Sequence, residues 1–468
     1  MKKLLIFYLS VLLLISACQS IKTQTYDLLL TNATIVDVQT GTLIPNQLIA
    51  ILGDTIRVVD AAENLAKYTS TQTLDAQGKY VMPGLWDMHV HFRGGDTLLA
   101  ENKDFLALFL AYGVTTVRDA GGDLVPSVMQ WREQIRKGEL TGPTIFTPGP
   151  KLDGPKPAWP GSITVDSEAD VQHALDSLQA LGVDYVKMYD GSLTKESFYS
   201  IIKETKKRGL KTTGHMPLSA DILPAVDLGL DGSEHMYYVL KAASPLADSL
   251  TKLNLGYGMM NQIVESYDTA LATKVFEKLA ANDFYITPTL HIGKTLAELA
   301  DADHSRDSLL AYIGTGVQQT YQGRLESAKR AKARGNDMRQ QMGQLTERMM
   351  RPMYEAGINL VAGSDSGPFN SFVYPGESLH EELKSMVAAG LTPQQALTTS
   401  VINGPKFFGL GAVYGSISSA KIADILILDA NPLEDISNTS KLHTVIKAGK
   451  VYDRAALNAM LERIKAQK

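Results

Sequence analysis

The chain has 468 residues, 44% of them hydrophobic, with 45 Lys and Arg against 50 Asp and Glu for a formal net charge of -5. Such a length allows about two to four domains, or one large barrel with an appendage. The near balance of charge excludes an electrostatic nucleic-acid binder, and a single cysteine excludes any internal disulfide.

Lys2 and Lys3 precede an apolar run from Leu4 to Leu14, and Ile15-Ser16-Ala17-Cys18 follows. This reads as a processing segment. The tetrad resembles a bacterial lipobox, which implies a signal peptide over residues 1–17, cleavage before Cys18, and a lipidated leash over 18–25 that tethers the protein to a membrane outside the cytoplasm. A plain signal peptide or an uncleaved anchor is the other reading. No later run reaches the ~18 apolar residues that a bilayer span needs.

Strand-like bursts come next, at Tyr26–Leu30, Thr34–Val38, Leu48–Ile51 and Ile56–Val59, separated by turn residues. Comparable bursts return only near the far end, at Ala423–Leu428 and His443–Val451. Neither group completes a sheet unaided. The two ends are therefore expected to meet in one small β-sandwich domain, residues 26–80 and 412–455, with residues 81–411 inserted between them.

The inserted region alternates short apolar strands with helix-length segments. The strands are predicted over Gly84–Phe92, Thr115–Ala120, Thr144–Pro148, Tyr185–Tyr189, Lys211–His215, Gly232–Met236, Tyr285–His291 and Ile358–Asp365. Between them, stretches such as Val171–Gly182 have helical periodicity and a terminal glycine stop. Eight such units imply an α/β fold of the (β/α)8 TIM-barrel kind, whose chemistry sits at the C-terminal ends of the strands.

Polar residues cluster at those ends. Asp87, His89 and His91 share one face of the first strand, so two neutral imidazoles stand together as a divalent metal requires. Lys187 lies near the end of the fourth strand, His215 ends the fifth, His235 the sixth and Asp365 the eighth. Chance does not place four of nine histidines at strand ends on a single rim.

With these residues in view, the sequence resembles the amidohydrolase superfamily, in its imidazolonepropionase-like and Xaa-Pro or Xaa-Arg dipeptidase-like branch. The resemblance rests on Met82-Pro83-Gly84-Leu85-Trp86-Asp87-Met88-His89-Val90-His91, Gly113-Val114-Thr115-Thr116-Val117-Arg118-Asp119, Val186-Lys187-Met188-Tyr189, Gly214-His215, Glu234-His235, Gly363-Ser364-Asp365 and Lys421-Ile422-Ala423-Asp424-Ile425-Leu426. It implies that His89, His91 and Asp365 hold one metal, that His215 and His235 hold a second, and that an N-carboxylated Lys187 bridges them. A plain Lys187 beside one metal on His89, His91, His215 and Asp365 is the competing arrangement. The donor set favours zinc, with manganese or iron as the other ions it suits.

In that scheme Asp365 is general base and acid to a metal-bridging hydroxide that attacks a C–N amide bond, and the substrate is a dipeptide or other small amide. A cyclic amide or imine hydrolase of the imidazolonepropionase type is the rival within the enzyme class, and a surface binding protein with the same barrel is the rival outside it. Tyr189, His291 and Tyr237 are candidate substrate contacts at the same mouth. Arg118 reads either as a carboxylate clamp or as a buried ion pair, and Asp87 as the acceptor that fixes an imidazole tautomer.

Loops at Gly149–Gly161 and Gly367–Gly376, rich in aromatics, are placed to form the pocket wall. His173, His304, His380 and His443 read as surface residues, and the basic stretch Arg324–Arg339 as a solvated helix face. A homo-oligomer is left open.

Overall fold

The computed structural model describes residues 24–467. The signal-like segment and Cys18 lie outside the described residues.

The first described strand, Thr25–Asp37, pairs antiparallel with Thr42–Leu52, and that strand with Thr55–Ala61. Alternation sends Leu28, Leu30, Ile49 and Ile51 into one apolar cluster and Leu29, Leu48 and Ala50 into another on the opposite face. The sheet continues through Tyr80–Pro83 into Ile425–Leu428, Leu442–Lys447 and Lys450–Asp453, while Thr69–Asp75 pairs parallel with the first strand. One eight-stranded sheet thus holds strands from both ends of the described chain. Met82, Leu426 and Val445 are register partners across it and point into the main core, fastening sheet to core.

From Pro83 the chain passes through Gly84 directly into the central region. A Cβ at Gly84 would meet the Thr115 hydroxyl at 2.2 Å, so only glycine lets these strands approach. The central strands are β1 (Leu85–Val90), β2 (Val114–Asp119), β3 (Thr144–Phe146), β4 (Val186–Met188), β5 (Thr212–Gly214), β6 (Gly232–Glu234), β7 (Tyr285–Thr287) and β8 (Asn359–Leu360). All their pairings are parallel: β1 with β2 with β3, β4 with β5, and β6 with β7 with β8. Helices lie between the strands, one of them Glu168–Leu181, which a Ser167–Asp170 capping box opens and Gly182 at φ 67° closes. The architecture is an α/β fold with parallel strands.

Backbone hydrogen bonds also run between the three groups. Asp184 N donates to Thr147 O at 3.0 Å, Asp231 N to Thr212 O at 3.2 Å, and Asp365 N to His89 O at 2.7 Å. The last of these lays the segment after β8 along β1, where Val90 and Ser366 form a parallel bridge. Among the described residues no helix is long and apolar enough to cross a membrane.

Two segments depart from the pattern expected of them. The seventh strand ends at Thr287 rather than at His291: Pro288 intervenes, Thr289 turns to φ 52°, and helix α1 (Leu290–Glu298) begins. Its first amides are received by the buried Glu382 carboxylate, Leu290 N at 3.0 Å and His291 N at 2.7 Å, so His291 belongs to a helix. The basic stretch is likewise not one solvated helix. It is split between α2 (Thr315–Ala333) and α3 (Met338–Glu355) by Gly335 at φ 67°, and the half-buried Arg324 and the exposed Arg339 both line an open cavity.

Candidate metal centre

Asp87, His89 and His91 share one face of the β1 line, but only the two histidines enter the cluster. Their Nε2 atoms stand 3.3 Å apart. Asp365 Oδ1 lies 3.5 Å from His89 Nε2 and 3.1 Å from His91 Nε2, and Asp365 Oδ2 lies 3.9 Å from His235 Nε2. The His215 ring centroid is 4.9 Å from that of His235, and Tyr189 is 4.4 Å beyond it. Lys187 is wholly buried, its Nζ 3.4 Å from Glu234 Oε1. Five of the six expected ligands therefore form one chain of contacts, and Lys187 joins it through Glu234.

Three of the four imidazoles are braced from behind. His89 Nδ1 meets Glu234 Oε2 at 2.7 Å, His91 Nδ1 meets the Gly121 carbonyl at 3.0 Å, and His235 Nδ1 meets Thr289 Oγ1 at 2.6 Å. A carbonyl oxygen can only accept, so His91 carries its proton on Nδ1 and turns the Nε2 lone pair to the cluster. Burial holds all four histidines below their ordinary pKa, His235 down to about 4, so each is a neutral donor at neutral pH.

Glu234 anchors this arrangement. It accepts from Arg118 at 2.8 and 3.0 Å and from the Thr213 hydroxyl at 2.8 Å as well as bracing His89. Burial alone would raise its pKa, but Arg118, Lys187 and His89 hold it well below the carboxylate range. Arg118 itself also donates to Met88 O at 2.6 Å, and is thus a buried ion pair rather than a clamp for a ligand. Lys187 is lowered to about 8 by burial, against the pull of Glu234 and with the push of Arg118.

His235 and Asp365 both adopt left-handed backbone, at φ 60° and 58°. Such conformations strain residues other than glycine and persist where the surroundings enforce them. Here the Asn370 amide does so, donating to both the backbone oxygen and Oδ1 of Asp365, the latter at 2.7 Å.

Neutral imidazoles plus a carboxylate suit a divalent metal, and among the described residues His89, His91 and Asp365 form a group that could hold one. Two further buried atoms are under-bonded: His215 Nδ1 has no hydrogen-bond partner, and Lys187 Nζ has only the ion pair with Glu234. Under-bonded buried polar atoms are rare, and both belong to the half of the cluster expected to take a second ion.

A cavity of about 650 Å³ opens on His91, His215, His235 and Asp365. Tyr189 and Tyr237 line it as expected, but His291 does not: its side chain sits on α1 near Glu381, Lys294 and Lys384. Trp159 and Phe369, from the two aromatic loops, meet at 5.7 Å between centroids beside the cavity. Asp87 does not fix a tautomer. It accepts from Ser364 N at 2.9 Å and Ser364 Oγ at 2.6 Å, tying β1 to the segment that carries Asp365. Nor is His380 a surface residue, being buried between Thr439 and the Tyr112 carbonyl. Glu234, Thr289, Asn370 and the cavity arginines Arg93 and Arg324 were assigned no part in the site from the sequence. Only Glu234 carried a signal there, as a charged residue inside an otherwise buried three-residue strand.

Comparison with known proteins places these residues in context. A family model described as "Amidohydrolase family" matches residues 80–452. Adenine deaminase 3 of Rhizobium meliloti (strain 1021) is 23% identical over 416 residues, covering 87% of this chain and 56% of the deaminase, so the chain spans little more than half of that relative. Ochratoxinase of Aspergillus niger is 20% identical over 468 residues, covering 88% of this chain and 82% of the relative. A solved Xaa-Pro dipeptidase with methionine bound in its active site superposes with a TM-score of 0.67 at 20% identity, over 91% of this chain and 99% of that one.

Proposed function

Because the chain belongs to the amidohydrolase family, we propose that this hydrolase of C–N bonds cleaves the amide of a dipeptide or N-acyl amino acid at the His89–Asp365 cluster. The observation that carries this reading is the set of braced, neutral imidazoles facing one carboxylate, with His215 Nδ1 unpartnered and Lys187 Nζ held only by Glu234 alongside.

In this reading the parallel strands form one closed (β/α)8 barrel over residues 81–411, supported by the backbone hydrogen bonds that bridge the three strand groups. Residues 26–80 and 412–455 are a β-sandwich appendage, supported by apolar clusters on both faces of its sheet. His89, His91 and Asp365 would hold one zinc ion and His215 and His235 a second, with a carboxylated Lys187 as the further anionic ligand. Burial supports the modification, since an amine lowered to about 8 is partly unprotonated at neutral pH and free to take up carbon dioxide. A bound divalent metal would lower the pKa of water and polarise the carbonyl.

The protein's own residues do the rest. Asp365, held by Asn370, takes the proton from the attacking water at Oδ2 and delivers it to the leaving nitrogen. Tyr189, packed against His215, donates to the oxygen that gains charge. Trp159 and Phe369 limit water above the site. Outside the described residues, Cys18 is the acylated N-terminus of a lipoprotein that works beyond the cytoplasm. Mass spectrometry of the mature N-terminus checks that assignment.

Metal analysis with an amine-release assay on a dipeptide and N-acyl amino acid set tests the whole reading. Two ions per chain and turnover of at least one amide are expected. A metal-loaded protein that releases amine from none of them refutes the reading.

A further inference from the structure

Two guanidinium groups, those of Arg93 and Arg324, face the cavity with no carboxylate at ion-pair distance among the described residues, although both feel the charge of Asp365. Arg93 is 4% exposed, and among the described residues its guanidinium makes one hydrogen bond, from Nε to the Pro368 carbonyl at 2.9 Å. Its guanidinium carbon lies 4.2 Å from the centroid of Trp159. Arg324, from α2, donates from Nη2 to Asn370 Oδ1 at 2.7 Å. Both line the same cavity as His91 and Asp365. Among the described residues neither forms an ion pair; Arg93 is buried and stacked on Trp159, and Arg324 is half-buried.

Arg118, the other buried arginine of the region, shows how this protein treats such a charge when it is structural, with a carboxylate at 2.8 Å. An uncompensated buried cation is costly. It is retained where a ligand supplies the missing anion, and the guanidinium geometry matches a carboxylate held by two parallel hydrogen bonds. Behind Trp159 and Tyr189 a third cation, Lys151, is 5.4 and 5.1 Å from their ring centroids and has no hydrogen-bond partner. Arg93 and Arg324 are near enough to each other that Arg324 helps to depress Arg93 to about 10, after burial.

We propose that Arg93 and Arg324 form a carboxylate subsite for the acid group of the leaving half of the substrate, so that the enzyme cuts amides of the form acyl–NH–CHR–COO⁻ with an apolar R group.

The side of the scissile bond follows from Asn370. This amide donates to Asp365 Oδ1 at 2.7 Å while accepting from Arg324, so the guanidinium is one side chain removed from the carboxylate that protonates the leaving nitrogen. An acid one carbon from that nitrogen falls to Arg324 and Arg93, whereas an acid on the acyl half would point away from them. Trp159, Tyr237 and Tyr257 line the cavity around this subsite and offer R an aromatic wall.

This inference deepens the hydrolase reading and rests on it for orientation, so binding and turnover are measured separately. The metal-loaded full chain is titrated calorimetrically with L-phenylalanine and with phenethylamine, which lacks only the carboxylate. L-Phenylalanine is expected to bind about 30-fold more tightly. Arg324→Met and Arg93→Gln should each remove about 10-fold of that preference and leave phenethylamine unchanged, while Arg324→Lys, which keeps charge but not the fork, restores part of it. Circular dichroism reports folding, and Arg324→Lys against Arg324→Met decides if Arg93→Gln does not fold. Equal binding of the two probes, or a preference that survives both arginine substitutions, overturns the subsite. In parallel, acetate release is followed from N-acetyl-L-phenylalanine and its carboxamide. Release from both at equal rates, with the arginine variants unaltered, removes the subsite and leaves the hydrolase; arginine-dependent binding without release from either removes the hydrolase and leaves the subsite.

Discussion

The two halves of the cluster around Asp365 are built differently. On the side of His89 and His91, each imidazole has a partner behind it, Glu234 or the Gly121 carbonyl, and that half is complete as a polar network. On the side of Lys187 and His215, His215 Nδ1 has none and Lys187 Nζ has only its ion pair with Glu234. Leaving such an atom unsatisfied costs about 1–3 kcal/mol. The first half can hold its shape with or without an ion, whereas the second is balanced only when something binds there. The difference teaches that preorganisation and occupancy are separable here, and substitutions should separate them.

The largest effect is expected where the halves meet. Asp365→Asn should lower kcat by about 10³-fold, within the range for a lost acid–base group, while elemental analysis still finds much of the metal. Turnover close to the unsubstituted level would show that Asp365 is a ligand alone.

Lys187→Met attacks the unbalanced half. Metal content should fall from two ions to one per chain, with turnover down by about 10²-fold if the second ion assists the carbonyl. Retention of a single ion in both proteins would establish the mononuclear arrangement instead.

Glu234→Gln attacks the braced half. It keeps the hydrogen-bonding shape but removes the charge, so metal affinity should drop about 10- to 100-fold. The melting temperature of the metal-free protein should fall too, since Arg118 loses the anion it is buried against. An unaltered melting curve would mean that the brace is not part of the folded-state balance.

The smallest effect calibrates the others. His380 is braced on both nitrogens, 2.9 Å from each partner, and lies outside the cluster. His380→Gln should leave metal content unchanged. Burial lowers the His380 pKa to about 4, so the folded protein binds fewer protons there than the unfolded chain, whose imidazole titrates near 6.5. The stability it supplies is present above pH 6.5 and is lost as the pH falls toward 4. The melting difference between the two proteins should narrow over that interval.

Much of this was legible in the primary structure. All eight segments read as central strands overlap one, because short apolar runs bounded by turns and helices leave few other choices. His89, His215, His235 and Asp365 stand out in the sequence because polar residues at the ends of apolar strands are conspicuous. The braces were not legible: Glu234 and His89 are 145 positions apart, and nothing in one sequence marks them as neighbours. Asp87 was assigned to an imidazole from its shared strand face, but the acceptor role went to a residue from another strand. His291 was misplaced because its helix starts on a carboxylate from Glu382, some 90 residues later in sequence. Arg324 looks like any cation on a polar helix until the cavity beneath it is seen.

The pairing of Tyr80–Pro83 with Ile425–Leu428 also sets an order of events during synthesis. Until the carboxy-terminal segment leaves the ribosome, Tyr80–Pro83 presents an open flank able to recruit strands from other molecules. A polypeptide exported before it folds would avoid that hazard only by staying unfolded until its last strand had arrived.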